Sequence, residues 1–395
     1  MEQWRPPPDP DKPDCPYIPG FDLQITEHEP PPPSGPGGYP ASNRPGHAKK
    51  WLEETPQSQQ VLEYPLEDSQ WSSESAPRSA VFTITQTIVI GNARGAQLVS
   101  GHLQECGQEE THLVTAKIFD SLYYPSCDNL VNIPRDVVRL AERDYAREAA
   151  AYRHLDATES LQKPGFAPKY YGSWTFELPI TVRGEKRTRC VRLILIEYLA
   201  GSSMLDLFAW NNSGPNAERD AFHYDIEYRL AVFAEILEGY MKQLHSGIDQ
   251  HDLSPRNVMI VPNPQKTITP LGQTPRVVLI DYNISIVFEQ TKYGRHYQQD
   301  FDRPLNPAQY FRSSPPDDFQ GWIPFEWYDA DRTTYQEWLS SRFGGDQAVH
   351  YEPVESDESE SLEDDAASSE QDLDLSRLDP AQRDLLLQGF TFAND

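Results

Sequence analysis

The segment Gln250-His-Asp-Leu-Ser-Pro-Arg-Asn257 sets a carboxylate, Asp252, five positions before an amide, Asn257. Both are short oxygen-bearing side chains, and Pro255 between them stiffens the loop. Asp281 follows 24 residues after Asn257 (281 − 257), at the end of the apolar run RVVLI. A carboxylate at the end of a buried strand is costly unless it is paired or bound to a metal. Lys117 stands between Ala116 and Ile118 in another apolar run, VTAKIF, and needs a reason to face inward. Together these are the groups that phosphoryl transfer requires. Phosphates must be held, their charge neutralised and an acceptor hydroxyl positioned.

The elements that would position these groups follow from hydrophobic patterning. VFTITQTIVIG, AQLVSGHLQ and HLVTAKIFD (112–120) read as three strands, with a turn at Asn92–Gly95. RLAERDYAREAAAYRHL (139–155) reads as a helix. Glu148 shares a face of it with Tyr145 and Tyr152 and is the expected partner of Lys117, with Glu142 as competitor. KYYGSWTFEL and VRLILIEYL give two more strands, joined by the polar hairpin RGEKRT. YRLAVFAEILEGYMKQLHSGI is an amphipathic helix that Gly247 should stop. NVMIV and RVVLIDYNISIV are short buried strands, and TTYQEWLSSRFGG a helix ending at Gly344.

DLSPRN resembles the H-R-D-L-x-x-x-N catalytic loop of protein kinases, Asp281-Tyr-Asn283 the D-F-G motif, and VTAKIF the V-A-I-K strand. Over roughly residues 79–345 the chain is similar to a fungal family of protein-kinase-like proteins, through AKIFDSLYY, YAREAAAYRHL, APKYYGSW, VRLILIEYLAG, HDLSPRNVMI and FQGWIPFEW. The resemblance implies an α+β, two-lobed protein-kinase-like fold. It would have a five-stranded antiparallel sheet in an N-lobe (78–199) and a shortened, mainly helical C-lobe (200–350). It further implies ATP and Mg2+ as cofactors. Asp252 would orient the acceptor hydroxyl and accept its proton, Asn257 and Asp281 would bind metal, and Lys117 would pair with the α- and β-phosphates. Tyr282 would fill the Phe position, and Asn283 would tolerate the backbone conformation that Gly usually supplies.

The glycine-rich loop is reduced to Gly91-Asn-Ala-Arg-Gly95, whose backbone N–H groups are candidates for phosphate, with Arg94 adding charge. Adenine would meet the backbone at Glu197-Tyr-Leu199, an assignment by position alone. Other departures matter. Gln250 and His251 stand where His-Arg is usual, so activity should not need a phosphorylated activation loop. Ser254 replaces a lysine, no A-P-E follows Asp281, and little chain remains before the acidic tail. The acceptor is therefore open between protein Ser/Thr and a small molecule of the aminoglycoside or choline kinase type. A pseudokinase scaffold without turnover is the rival from another class.

Of the 35 prolines, 17 are concentrated before residue 80, and runs such as PPPDPDKP predict a disordered arm over 1–77 with a PxxP-type ligand role as an option. Eleven acidic residues and no basic one between Glu352 and Asp374 predict a solvated acidic tail over 351–395, with a short helix near 380–390. Ser356, Ser359 and Ser361 within it are candidate sites for an acid-directed kinase, which phosphate mapping checks. A formal net charge of −27 argues against nucleic acid or an anionic membrane as partner. Cys15, Cys106, Cys127 and Cys190 form no CxxC pair, no signal peptide is read at the N-terminus, and no apolar run approaches a membrane span. A cytoplasmic monomer is expected, with a nuclear location also open.

Overall fold

The structure, a computed structural model, describes residues 4–66, 75–92, 94–128, 132–159, 165–210, 219–266 and 275–353. Its largest sheet is a closed antiparallel barrel of six strands: β1 (Asp22–Glu27), β2 (Ser79–Val89), β3 (Gln97–Glu105), β4 (Thr111–Phe119), β5 (Tyr170–Val182) and β6 (Glu185–Glu197). Around the barrel the order is β1-β2-β3-β4-β6-β5, and β1 closes it by pairing with both β2 and β5. Phe82, Ile84, Val99, Leu103 and Leu193 are almost wholly excluded from solvent. β5 and β6 turn over at Arg183 and Gly184, both at positive φ, the geometry of a tight two-residue hairpin.

The two-lobed protein-kinase-like arrangement is overturned. The five-stranded sheet is a closed six-stranded barrel, and the expected arm supplies the missing strand. In DLQITE, Leu23 and Ile25 are buried while Asp22 and Gln24 are exposed, a period of two that the surrounding prolines obscure. Nor is the arm disordered. It carries helices α1 (Lys49–Glu54) and α2 (Gln57–Glu63), which bury Leu52 and Val61. Tyr17 donates to buried Asp120 at 2.5 Å, and Asp120 is also bound by Arg189 at 2.6 Å. The first proline-rich run is itself bonded to α2: Ser58 N–H donates to Asp9 at 2.7 Å and Lys12 donates to Gln57 at 2.9 Å.

Nor is the remainder mainly helical. Its helices are α4 (Ile226–Ser246), the single-turn α5 (Pro307–Tyr310) and α6 (Thr333–Phe343), among short 3-10 turns. Proline recurs between residues 304 and 324, where it repeatedly interrupts helix propagation. α4 follows its sequence pattern. Asp225 caps its start, and Gly247, at φ +96, ends it in the left-handed conformation. A small three-stranded sheet of β7 (Val258–Val261), β8 (Arg276–Leu279) and Ser202–Ser203 lies beyond it, and Ile248–Asp249 pairs with Ile286–Val287. The acidic segment from residue 354, with its expected helix and serines, lies outside the described residues. Among the described residues no helix is long and apolar enough to cross a membrane.

Candidate active site

The helix expected over 139–155 is α3, Val137–Glu159, and it packs against β4, β5 and β6. β4 from Val114 to Phe119 and β6 from Val191 to Ile196 are consequently buried on both faces. Lys117 is therefore largely buried, with only 10% of its side chain exposed, and needs a partner within the protein. Glu148 provides it, wholly buried, with Oε1 2.7 Å and Oε2 2.5 Å from Lys117 Nζ. Tyr145 and Tyr152, three residues before and four after, share the buried face. The competitor Glu142 instead meets Arg44 of the N-terminal segment at 3.4 Å.

Lys117 Nζ also lies 2.5 Å from Asp281 Oδ1, so one ammonium serves two carboxylates. Burial alone would lower the lysine, but Asp281 and Glu148 outweigh it and hold the ammonium above the ordinary lysine range. Burial pushes the Glu148 carboxyl up to about 7, opposed by Lys117 and reinforced by the charge of Asp281. Asp281 keeps 38% of its side chain exposed, so it is the member of the trio open to a ligand.

Asp281 follows β8 at φ +63, a conformation disfavoured for a residue with a Cβ. Asn283, expected to take the left-handed conformation, does not; the metal-site candidate itself takes it. Two contacts hold Asp281 there. Ile280 N–H donates to the Asn257 carbonyl at 2.8 Å, and the Gln250 amide donates to the carbonyls of Ile280 at 3.1 Å and Asp281 at 2.8 Å. Gln250 also accepts from Asp252 N–H at 2.8 Å. This fully buried amide thus ties the loop to Asp281. Sequence reading treated Gln250 only as a departure; a polar residue beginning a catalytic-type loop was the available signal. Tyr282 is buried as expected, edge-on to Tyr152, with its hydroxyl accepting from Gln243 at 2.8 Å.

The loop itself begins where α4 ends. His251, at φ +66, turns the chain so that Asp252 follows, and Pro255–Asn257 forms a single 3-10 turn before β7. Asn257 Nδ2 donates to the Asp252 carbonyl at 3.0 Å and to its Oδ2 at 2.8 Å. Arg256 binds Asp252 Oδ1 at 2.5 Å and reaches Asp318 at 3.5 Å. The Asp252–Arg256 pair lies in a loop and a single 3-10 turn, so helical spacing does not announce it in the sequence. A carboxylate so held has both oxygens fixed on one side by donors.

The donor set fits magnesium. With Asn257 Nδ2 committed to Asp252, its Oδ1 is the atom left for a ligand, and the partly exposed Asp281 carboxylate adds a second hard oxygen. Among the described residues no group of three or more His, Cys, Asp or Glu could hold a metal. A phosphate-associated magnesium needs only one or two such side chains, the rest of its shell coming from phosphate and water.

Gly91 and Gly95 lie in the turn joining β2 and β3. Buried Gln97 accepts from Gly91 N–H at 2.6 Å and donates to the Gly91 carbonyl at 3.1 Å and the Gly95 carbonyl at 3.3 Å. The Gly91 amide, expected to meet phosphate, is therefore bonded within the turn. Beneath Gly95 lies the ring of Tyr124, whose buried hydroxyl has no hydrogen-bond partner among the described residues and sits in the field of Asp144, Glu148 and Asp281. Sequence reading missed Tyr124 because nothing in SLYY distinguishes it from an ordinary core aromatic. At the expected adenine contact, the Glu197 carboxylate is bound by Arg276 at 2.5 and 3.0 Å and by Lys169 N–H at 3.1 Å. It pins the end of β6 to β8. Leu199, just beyond, is half-buried.

Two clefts, of about 480 and 600 Å3, lie elsewhere: one beside Glu27, His28 and Tyr170, the other between Phe166, Lys242 and Tyr351. Neither contains a residue of this cluster. No protein-family model matches this sequence, and no curated protein matches it.

Proposed function

We propose that the chain is an ATP- and magnesium-dependent phosphotransferase that moves the γ-phosphoryl group to a hydroxyl, with protein Ser/Thr as the favoured acceptor class. The observation that carries the reading is the convergence of Lys117, Glu148 and Asp281 within hydrogen-bond distance, with Asn257 and Asp252 joined to Asp281 through Gln250 and the backbone. The likeness of DLSPRN and VTAKIF to kinase motifs supports it at the level of the site; the scaffold is a barrel.

In this reading Lys117 binds phosphate oxygens, and Glu148 holds the ammonium in place. Asp281 and the Asn257 amide oxygen would hold magnesium, which when bound neutralises charge on the phosphates. Asp252 accepts the proton of the acceptor hydroxyl as its oxygen bonds to the γ-phosphorus. The bond from that phosphorus to the bridging oxygen breaks, and ADP leaves with the electron pair. Arg256 and Asn257 orient the Asp252 carboxylate.

A nucleotide-binding scaffold without turnover is the second reading. The Gly91 amide bonded by Gln97 and the Asp252 carboxylate engaged by Arg256 favour it. Magnesium-dependent ATP binding and ATP turnover, measured for wild type, Asp252→Ala and Asp281→Ala, test the proposal. Turnover lost in Asp252→Ala with binding kept supports a phosphotransferase; binding with no turnover in wild type supports the scaffold.

A further inference from the structure

Residues Ser34–Tyr39 run between α3 and the stretch that follows Asp281. On the helix side they meet Arg147, the neighbour of Glu148. Its Nη2 donates to the carbonyls of Ser34 at 2.9 Å and Pro36 at 2.5 Å, and its Nε to Ser34 at 3.1 Å. The guanidinium carbon stands 5.2 Å from the centroid of the Tyr39 ring. On the other side, the Tyr39 hydroxyl accepts from Val287 N–H at 2.7 Å and donates to the Ser285 carbonyl at 3.2 Å. Lys292 N–H donates to the Gly38 carbonyl at 2.9 Å. Gly38, at φ +82, passes so close to the Tyr293 ring that a Cβ there would collide with it. Tyr39 and Arg147 are both buried.

One short segment is thus bonded both to the helix that carries Glu148 and to the chain four to six residues past Asp281. Within the stretch it grips, Ile286–Val287 pair with Ile248–Asp249, which lead directly into Gln250 and Asp252. A non-glycine residue in the left-handed conformation persists only when its surroundings over-determine it. Gln250 restrains Asp281 from one side. Ser34–Tyr39 restrains the chain on the other.

We propose that Ser34–Tyr39 is an internal staple that sets Asp281 against Lys117 and Glu148, with Tyr39 as its positioning residue. This rests on the phosphotransferase reading, because the effect sought is on the metal-binding carboxylate. The staple keeps Asp281 aligned before metal and nucleotide arrive, so loosening it raises the magnesium needed without removing any ligand.

Tyr39→Phe tests this, since it keeps the ring against Arg147 and removes only the hydroxyl. Arg147→Gln loosens the staple from the helix side and decides the matter should Tyr39→Phe fail to fold. ATP binding is followed by calorimetry across a magnesium series, alongside hydrogen–deuterium exchange of the peptide around Val287 and the melting temperature. The variants should melt within a few degrees of wild type, and the Val287 amide should exchange faster in Tyr39→Phe. The half-saturating magnesium should rise roughly fivefold or more, with ATP affinity recovered at saturating magnesium. An unchanged magnesium requirement in folded variants, beside a wild type that binds ATP with magnesium, overturns the staple alone. A wild type that binds no ATP at any magnesium concentration overturns the phosphotransferase reading, and the staple's role with it.

Discussion

Lys117 and Asp281 are 164 positions apart in the chain, yet Nζ of one lies 2.5 Å from Oδ1 of the other. That contact joins the barrel to the segment that follows β8. It places a cation, two carboxylates and an amide in a single network, with Glu148 as the fully buried member.

Removing the cation should therefore be costly. Lys117→Met leaves Glu148 buried without its ion-pair partner, and a buried pair broken at one end typically loses about 3–5 kcal/mol. Denaturant unfolding should show that loss. Adding Glu148→Gln in the same chain should recover most of it while ATP binding stays abolished. A Lys117→Met variant as stable as wild type would mean the pair contributes nothing to the fold.

Asp252 and Gln250 should separate chemistry from positioning. Asp252→Ala removes the proton acceptor and should lower turnover about 10²–10⁴-fold with ATP binding retained. Gln250→Ala removes the bridge between Asp252 and Asp281 and should lower turnover while weakening magnesium dependence as well. Steady-state rates against magnesium concentration distinguish the two patterns.

The hydroxyl of Tyr124 is buried without a partner among the described residues, a state that costs free energy. Tyr124→Phe should leave stability unchanged or raise it by up to about 1 kcal/mol. A clear drop in melting temperature would show that the hydroxyl is bonded.

Acid should loosen the N-terminal segment at His28. This side chain follows β1, is buried, and meets the Tyr145 hydroxyl of α3 at 2.7 Å. Burial first, and the nearby Arg192 charge second, lower its pKa from 6.5 to about 3. Between those values the unfolded chain binds the proton and the folded one does not. The stability His28 contributes is thus present above pH 6.5 and lost as pH falls towards 3. The full loss is at most about 5 kcal/mol. Unfolding measured from pH 7 to pH 4 should fall less steeply in His28→Gln; parallel profiles would rule out this group as a source of acid sensitivity.

The local elements were largely legible, and their closure was not. The five later barrel strands, α3, α4 and α6 follow hydrophobic periodicity, and the pairing of Lys117 with Glu148 follows from a lysine trapped in an apolar strand. β1 escaped because proline density masked Leu23 and Ile25, and without it an open sheet was the natural expectation. The left-handed conformation was assigned to Asn283 on residue preference, but tertiary contacts through Gln250 and Asn257 force it on Asp281. Gln97 taking the Gly91 amide, Tyr124 under Gly95 and the grip of Tyr39 on Val287 are long-range or side-chain relationships that no local pattern encodes.

The most direct measurement is ATP binding and turnover at saturating magnesium, with wild type beside Asp252→Ala and Asp281→Ala. The site as built predicts magnesium-dependent ATP binding in wild type, binding without turnover in Asp252→Ala, and loss of the magnesium dependence in Asp281→Ala. Wild-type protein that binds no ATP, or turnover that survives Asp252→Ala undiminished, would contradict it.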